Sequence, residues 1–188
     1  MVRDNTRGSL PAWKKPVDQG SNPCVPIFPP PGGGSIRPAR PSAEDVRTHE
    51  PSQRLTAYAD GGSRGNPGPA AIGVVICTEA DRVVQEHSEY IGRATNNEAE
   101  YCALIKGMEL AGRHTHGEVL CIMDSEFVVK QVEGSYRVKD RKLKRLREKV
   151  KDKERTFERV EYRHLPRLTG RLARADELVN EALDNAGF

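Results

Sequence analysis

The stretch LTAYADGGSRGNPGPAAIGVVIC, residues 55–77, carries the signals that decide the fold class. Its first six residues alternate as in a half-buried β-strand and then break into a turn rich in glycine and proline. The apolar run of residues 70–77 and the segment RVVQEHSEYI, residues 82–91, predict two further strands. Three consecutive strands with short connections predict an antiparallel meander.

The rest of the chain alternates between helical and strand patterns. Thr95 or Asn96 is expected to cap a helix that reaches about Gly112, and Gly134 is expected to end a second helix. Between these helices the apolar run EVLCIMD is typical of a buried central strand. The remaining elements are a helix over residues 139–153, a strand over 156–165 and a helix over 171–187. The order βββαβααβα predicts an α/β fold, a five-stranded mixed sheet with three antiparallel and then parallel strands, flanked by helices.

The first 54 residues differ in composition from the rest of the chain. They hold ten of the 13 prolines but only two aromatic residues, Trp13 and Phe28. Such a segment cannot bury enough apolar surface to offset its ordering entropy. We therefore expect residues 1–54 to be a disordered tail, a linker or an arm for an unknown protein partner, and residues 55–188 to be one domain. No apolar run is long enough for a signal peptide or a membrane span, which predicts a cytoplasmic protein.

The charge of the chain is unevenly distributed. Residues 137–155, which we call the basic ridge, contain eleven basic and four acidic residues, although residues 55–188 are neutral as a whole. This asymmetry favours a polyanion held at the basic ridge and cations bound elsewhere. A solvated helix face crossed by ion pairs three or four residues apart would have the same composition, and the charge pattern alone leaves both interpretations open.

Two glutamates lie close together in the segment ATNNEAEY, residues 94–101. Residues eleven positions apart share a helix face, so Glu98 shares a face with Glu109, whereas Glu100 shares one with Ala111 and other apolar residues. Glu98 is therefore expected to be an ordinary acid of the first helical turn. Glu100 is expected on the buried face, where a carboxylate is costly unless a partner neutralises it.

Three aspartates occupy comparable positions in other predicted elements. Asp60 ends the first strand, Asp124 ends the central strand, and Asp176 opens the last helix. Each of them alone is also compatible with a helix cap or a turn. Together with Glu100 they would supply oxygen ligands without a set of cysteines and histidines, which predicts Mg²⁺ or Mn²⁺ rather than zinc.

Four blocks of the sequence resemble one known family. They are YADGGSRGNPGPAAIGVVI, IGRATNNEAEYCALIKGME, IMDSEFVVKQVEGSYRVK and RADELVNEALD. In this order they resemble type 1 ribonuclease H over roughly residues 55–185. The resemblance implies the ribonuclease H-like fold and a catalytic set that binds two divalent ions, Mg²⁺ or Mn²⁺. By position this set is Asp60, Glu100, Asp124 and Asp176.

The resemblance also implies an activity and a substrate. Members of the family hydrolyse the RNA strand of RNA–DNA hybrids by a two-metal mechanism that leaves 5′-phosphate and 3′-hydroxyl ends. The substrate-binding residues implied are Asn66, Asn96 and Asn97 near the 2′-hydroxyls of the RNA, and Arg93 and Thr95 at a phosphate of the DNA.

Two departures from the common pattern place the chain within the family. The sequence passes from residues 134–140 directly into the basic ridge helix, without the protrusion rich in tryptophan and lysine that many bacterial members carry. It therefore resembles the branch without this handle. The segment HLPRLTGRLARAD, residues 164–176, is similar to the His-x-Pro-Arg element of that branch but is about two residues longer before the aspartate. The similarity implies Arg167 as an auxiliary catalytic residue. His164 is the alternative for this role.

Two other functions are compatible with the sequence. A nuclease of this fold can also act on double-stranded RNA, and a binding module can retain the hybrid surface after losing catalysis. The four retained carboxylates argue against the second alternative. We expect the protein to be a monomer.

Overall fold

The computed structural model describes residues 54–167 and 169–188. Within them the chain forms five strands and four helices in the predicted order, βββαβααβα. The strands are β1 (Leu55–Ser63), β2 (Gly68–Thr78), β3 (Val83–Ala94), β4 (Glu118–Met123) and β5 (Arg159–His164). The helices are α1 (Asn96–Ala111), α2 (Glu126–Glu133), α3 (Arg141–Glu154) and α4 (Arg171–Asn185).

The strands form one mixed sheet in the order β3-β2-β1-β4-β5. β2 is antiparallel to β1 and β3, whereas β4 is parallel to β1 and β5, which confirms the predicted fold class. Tyr58 pairs with Ile122 across the parallel strands β1 and β4. Asp60 and Asp124 each follow this pair by two residues, so they reach the same region at one edge of the sheet.

The first hairpin is longer than the sequence pattern predicted. Asp60 does not end β1, because pairing with β2 continues through the two glycines to Ser63, which lies opposite Ala70. The turn is confined to the few residues after Ser63 and is closed by the backbone N–H of Arg64, which donates to the carbonyl oxygen of Pro69 at 2.8 Å. Asp60 is therefore held inside a paired strand on a rigid part of the sheet.

Helices cover both faces of the sheet. On one face, Ile72, Val74 and Ile76 of β2 join the main core with α1 and α3. On the other face, Ala71 and Val75 pack against α4. Burial of both faces explains the continuous apolar run of β2, and each large side chain buried in this way stabilises the fold by about 1.5–3 kcal/mol.

Gly61 allows α1 to pack directly on β1. A Cβ atom at this position would overlap the backbone of Ala99 and the amide nitrogen of Glu100. Any larger residue would therefore push the first turn of α1 away from the strand. The close approach places the side chain of Glu100 beside that of Asp60, which precedes Gly61 in the chain.

Gly73 has the same role on the opposite face. It lies opposite Asp60 in the register of β1 and β2. A Cβ atom there would overlap the carbonyl group of Ala175 in α4. Since Ala175 precedes Asp176, this contact holds the last predicted acid close to the same edge of the sheet. Asp176 lies in the second turn of α4 rather than at its start, because the helix already begins at Arg171.

Three further sequence predictions can be compared with the described residues. No helix within residues 54–167 and 169–188 is long and apolar enough to cross a membrane. The predicted N-terminal tail, residues 1–54, lies outside the described residues except for Arg54. Helices α2 and α3 are joined directly by residues 134–140, as expected for a chain without a handle.

Candidate active site

Four acidic residues from four separate parts of the chain converge near the carboxyl ends of the neighbouring strands β1 and β4. Asp60 lies in β1, Glu100 in α1, Asp124 immediately after β4, and Asp176 in α4. Asp60, Glu100 and Asp124 each offer a carboxylate oxygen, and these three oxygens lie within 4.8 Å of one another. Asp176 is linked to this trio by Arg167, whose Nε atom lies 3.6 Å from its Oδ1 atom.

The two innermost acids lack the partners that buried carboxylates normally have. Asp60 is 2% exposed and Glu100 is 3% exposed. Both carboxylate oxygens of Asp60 and the Oε2 atom of Glu100 accept no hydrogen bond from the described residues. Leaving such groups unsatisfied is costly, and a buried charge is usually paired or coordinates a metal. The arrangement therefore fits a divalent cation with hard oxygen ligands.

The electrostatics of the trio indicate the same need for positive charge. Burial, followed by the neighbouring Asp124, raises the pKa of Asp60 to about 7, and the guanidinium of Arg167 opposes this shift. Burial, followed by Asp60 and Asp124, also raises the pKa of Glu100 well above its ordinary value. Both shifts express the cost of burying a carboxylate, increased by the repulsion between neighbouring acids, and a bound cation would offset both.

The prediction for Glu98 from the helical face is wrong. It is also buried, at 5% exposure, and is not the outward-facing acid that the sequence predicted. Its Oε2 atom accepts hydrogen bonds from the backbone N–H of Thr95 at 2.8 Å and from the Thr95 hydroxyl at 3.0 Å, and its Oε1 atom lies 3.1 Å from Nζ of Lys142. Burial alone would raise the pKa of Glu98, but these contacts outweigh it and hold the pKa below its ordinary value.

A local motif could have identified the environment of Glu98. Thr95 and Glu98 form a capping box, in which each side chain satisfies the backbone N–H of the other residue. The spacing Thr-x-x-Glu before an apolar run is the sequence signature of this motif. The ion pair with Lys142 was not predictable in this way, because that residue lies in α3.

Arg167 lies among the carboxylates of three elements. Its Nε atom donates a hydrogen bond to Oδ2 of Asp124 at 2.8 Å, and its Nη2 atom lies 3.8 Å from Oδ1 of Asp60. The side chain is nevertheless 53% exposed. His164 ends β5 with an exposed side chain, and among the described residues it makes no hydrogen bond or ion pair with the four acids. The choice of Arg167 as the auxiliary residue stays a prediction.

The residues predicted to contact the substrate gather around the start of α1. Thr95 is the N-cap of this helix, and Asn96 and Asn97 are its first two residues, both exposed. The Oδ1 atom of Asn66, in the β1–β2 turn, accepts a hydrogen bond from the backbone N–H of Asn96 at 3.1 Å. Arg93 is exposed near the end of β3. The structure therefore brings all five residues to one surface around the N-terminus of α1.

The basic ridge is partly occupied by internal contacts. Besides the ion pair of Lys142 with Glu98, the Nε atom of Arg147 donates to the carbonyl oxygen of Gln131 at 2.8 Å, and Lys151 pairs with Glu154. Lys144 and Arg145 are exposed. Part of the basic ridge is thus engaged in contacts within the protein, and binding of a polyanion by its exposed residues stays a prediction.

Comparison with known proteins supports the resemblance seen in the sequence. The family model described as reverse transcriptase-like matches residues 58–182. The crystal structure of ribonuclease H1 from Halobacterium salinarum superposes with a TM-score of 0.68 at 43% identity, over 70% of this chain and 98% of that one. The chain belongs to the type 1 ribonuclease H family. The predicted family is thus confirmed.

Two further relatives have the same ribonuclease H domain. The N-terminal domain of Rv2228c from Mycobacterium tuberculosis is 42% identical, with a TM-score of 0.68, over 72% of this chain and 96% of that one. LC11-RNase H1, solved in complex with an RNA/DNA hybrid, is 44% identical, with a TM-score of 0.65, over 70% of this chain and 98% of that one. The chain spans 66% of the curated Halobacterium ribonuclease HI, at 44% identity. Membership of the ribonuclease H family implies the use of a divalent metal, and the buried acidic cluster is a suitable place for it.

Proposed function

We propose that this chain is an endonuclease that hydrolyses the RNA strand of RNA–DNA hybrids and leaves 5′-phosphate and 3′-hydroxyl ends. One observation carries the proposal: three carboxylates lie within 4.8 Å of one another, and three of the four carboxylate oxygens of Asp60 and Glu100 have no hydrogen-bond partner among the described residues. The name of the Halobacterium relative and the hybrid bound to LC11-RNase H1 support the same substrate.

In this proposal Asp60, Glu100, Asp124 and Asp176 hold two divalent ions, Mg²⁺ or Mn²⁺. Such ions, when bound, activate a water for in-line attack on a phosphodiester and stabilise the departing oxygen. The protein contributes a rigid set of ligands, because β1 and β4 are hydrogen-bonded neighbours and Gly61 holds α1 against them. Packing of this kind keeps the ligands within the narrow tolerance that positioning catalysis requires.

The proposed substrate surface lies beside these ligands at the start of α1. Because Oδ1 of Asn66 accepts from Asn96, the side-chain amide N–H groups of Asn66 are directed to other acceptors, such as a 2′-hydroxyl of the RNA. Arg93 supplies an exposed guanidinium for a phosphate of the DNA strand. Thr95 would join it by transferring the hydrogen bond of its hydroxyl from Glu98 to the phosphate.

Arg167 is proposed as the auxiliary residue that assists product release. Its guanidinium is directed at the carboxylates and is half exposed, so it can reach both the ligands and a phosphate. Arginine stays protonated near neutral pH and pairs well with phosphate, but it does not shuttle protons as imidazole does.

Cleavage assays on three substrates test the proposed function. The full chain would be incubated with Mg²⁺ or Mn²⁺ and end-labelled RNA–DNA hybrid, double-stranded RNA or double-stranded DNA, with Asp124→Asn as the inactive control. We expect cleavage of the RNA strand of the hybrid only. Preferred cleavage of double-stranded RNA would reassign the substrate, and hybrid binding without cleavage would indicate a binding module.

The extent and setting of the domain are also proposals. We propose that residues 55–188 form the catalytic domain and that the preceding segment is a linker or an arm for a protein partner. The cytoplasmic location and the monomeric state stay predictions from the sequence.

A further inference from the structure

We infer that Arg167 acts as an internal cation of the acidic cluster and competes with a metal ion for Asp124 and Asp176. The inference rests on the proposed metal-binding role of the four acids. Arg167 would then control the order in which metal ions bind to the cluster, in addition to its proposed role in product release.

The guanidinium of Arg167 is positioned asymmetrically in the cluster. Its Nε atom lies 2.8 Å from Oδ2 of Asp124 and 3.6 Å from Oδ1 of Asp176. The contact with Asp60 is longer, at 3.8 Å from Nη2, and is not a hydrogen bond. Arg167 therefore supplies positive charge mainly to the side of the cluster formed by Asp124 and Asp176.

On the other side of the cluster this counter-charge is more distant, because Arg167 reaches Asp60 only through the 3.8 Å contact and donates no hydrogen bond to it. Asp60 and Glu100 are almost fully buried, and three of their four carboxylate oxygens accept no hydrogen bond within the described residues. A cation that enters the cluster is thus expected to bind first to Asp60, Glu100 and one oxygen of Asp124, because neither Asp60 nor Glu100 has a hydrogen-bonded cation that must be displaced. A second cation has to take Asp124 and Asp176 from Arg167.

The surroundings of Arg167 allow this exchange. Its side chain is 53% exposed and follows the end of β5, so it can turn towards solvent without opening the core. It cannot leave by losing its proton, because a guanidinium remains charged at all accessible pH values. Displacement by a competing cation, or capture by a substrate phosphate, is the remaining way to free the two aspartates.

Metal binding in the absence of substrate tests the inference without any measurement of activity. Mn²⁺ binding would be followed by calorimetry on the full chain, for the wild type and for Arg167→Ala. We expect the wild type to bind one ion more tightly than a second, and the substitution to tighten the weaker ion by about threefold to tenfold, the scale of a partly exposed charge pair. An unchanged or weakened second ion in Arg167→Ala would overturn the inference.

Two further variants make the result specific. Arg171→Ala removes the same charge from a nearby arginine whose ion-pair partner is Asp81, outside the cluster, and should leave both affinities unchanged. Arg167→Lys keeps the charge but loses the planar fork, so its second affinity should lie between those of wild type and Arg167→Ala. Equal tightening by Arg171→Ala and Arg167→Ala would mean a general charge effect and would also overturn the inference.

A control variant separates this inference from the proposed function. If Asp124→Asn and the wild type bind Mn²⁺ equally, the metal site itself is misassigned and the proposed function fails. If Asp124→Asn loses Mn²⁺ while Arg167→Ala matches the wild type, only the competition is wrong. Thermal unfolding provides a second measurement: with a chelator, Arg167→Ala should have a lower Tm than wild type, and saturating Mn²⁺ should raise its Tm by more.

Discussion

Glu98 and Glu100 lie two residues apart in the first turns of α1, and both are almost fully buried. Their side chains nevertheless have opposite electrostatic environments. Glu98 has a hydrogen-bonded cap residue and an ion-pair partner, and its pKa is held below the ordinary value. Glu100 faces two other acids, and its pKa is raised by burial and by those neighbours. Burial alone therefore does not identify a functional acid, whereas a buried acid without partners indicates a place for a cation.

The activity of two glutamine variants is the strongest test of this contrast. Glu100→Gln should lower hybrid cleavage at least about a hundredfold, because an amide is a poor ligand for a divalent ion. Glu98→Gln should lower it by less than about tenfold, since that residue supports the helix cap. Cleavage rates with Mg²⁺, together with circular dichroism as a control for folding, would decide. Equal losses of activity in the two folded variants would show that Glu98 and Glu100 do not differ in function.

The pH dependence of stability gives a second test. Substitutions at the two kinds of buried acid should change the free energy of unfolding in opposite directions. Burial raises the pKa of Asp60 from 3.8 to about 7, so without metal its contribution to stability is present at low pH and is lost as pH rises through about 7. Asp60→Asn should therefore raise the free energy of unfolding of the metal-free protein by about 1–3 kcal/mol at pH 8. Denaturant unfolding in a chelator across this pH range measures it.

Glu98→Gln is the matched variant for that experiment. Because the pKa of Glu98 is lowered, its contribution is present above the unfolded pKa and is lost as pH falls. This variant should be less stable than wild type at neutral pH, with a difference that shrinks in acid. If both variants changed stability in the same direction at neutral pH, the proposed contrast between satisfied and unsatisfied acids would be wrong.

The third prediction concerns two residues near the end of β5: His164, its last residue, and Arg167, three residues later. Arg167 contacts three of the acids, whereas His164 contacts none of them among the described residues. We expect Arg167→Ala to lower kcat about tenfold and His164→Ala to lower it by less, because only the arginine can pair with the product phosphate near the ligands. Steady-state kinetics at saturating metal provide the measurement. A larger loss in folded His164→Ala would transfer the auxiliary role to the histidine.

The smallest effect on function is expected from the basic ridge, where Lys142 is the ion-pair partner of Glu98. Replacing Lys142, Lys144 and Arg145 with glutamine should weaken hybrid binding. The slope of the logarithm of the binding constant against the logarithm of salt concentration should become shallower by about 0.7–0.9 for each phosphate that the variant no longer neutralises. Lys142→Gln alone tests whether this lysine contributes to binding, since it is already paired with Glu98. Titrations at several salt concentrations would show it. An unchanged slope in the triple variant would make the ridge a solvated face.

The order of the elements was predictable from sequence alone, and so were the four acids that the structure brings together. Alternation in β1, the double-sided apolar run of β2 and the glycine at the end of α2 are local signals, because side-chain periodicity and capping depend on residues a few positions apart. The family resemblance rests on the same short blocks, which hold Asp60, Glu100 and Asp124 at recognisable positions. Local signals also explain the errors at element ends, such as β1 continuing past Asp60 to Ser63.

The partners of the buried acids follow from contacts between elements that are distant in the chain. Lys142 reaches Glu98 from another helix, and Arg167 reaches carboxylates of three elements across more than forty intervening residues in the case of Asp124. These contacts arise because Gly61 allows α1 to pack against β1 and the parallel register places β4 beside it. The free energy of a charge in the interior depends on every group packed around it, so its state follows from three-dimensional packing and not from its own stretch of sequence.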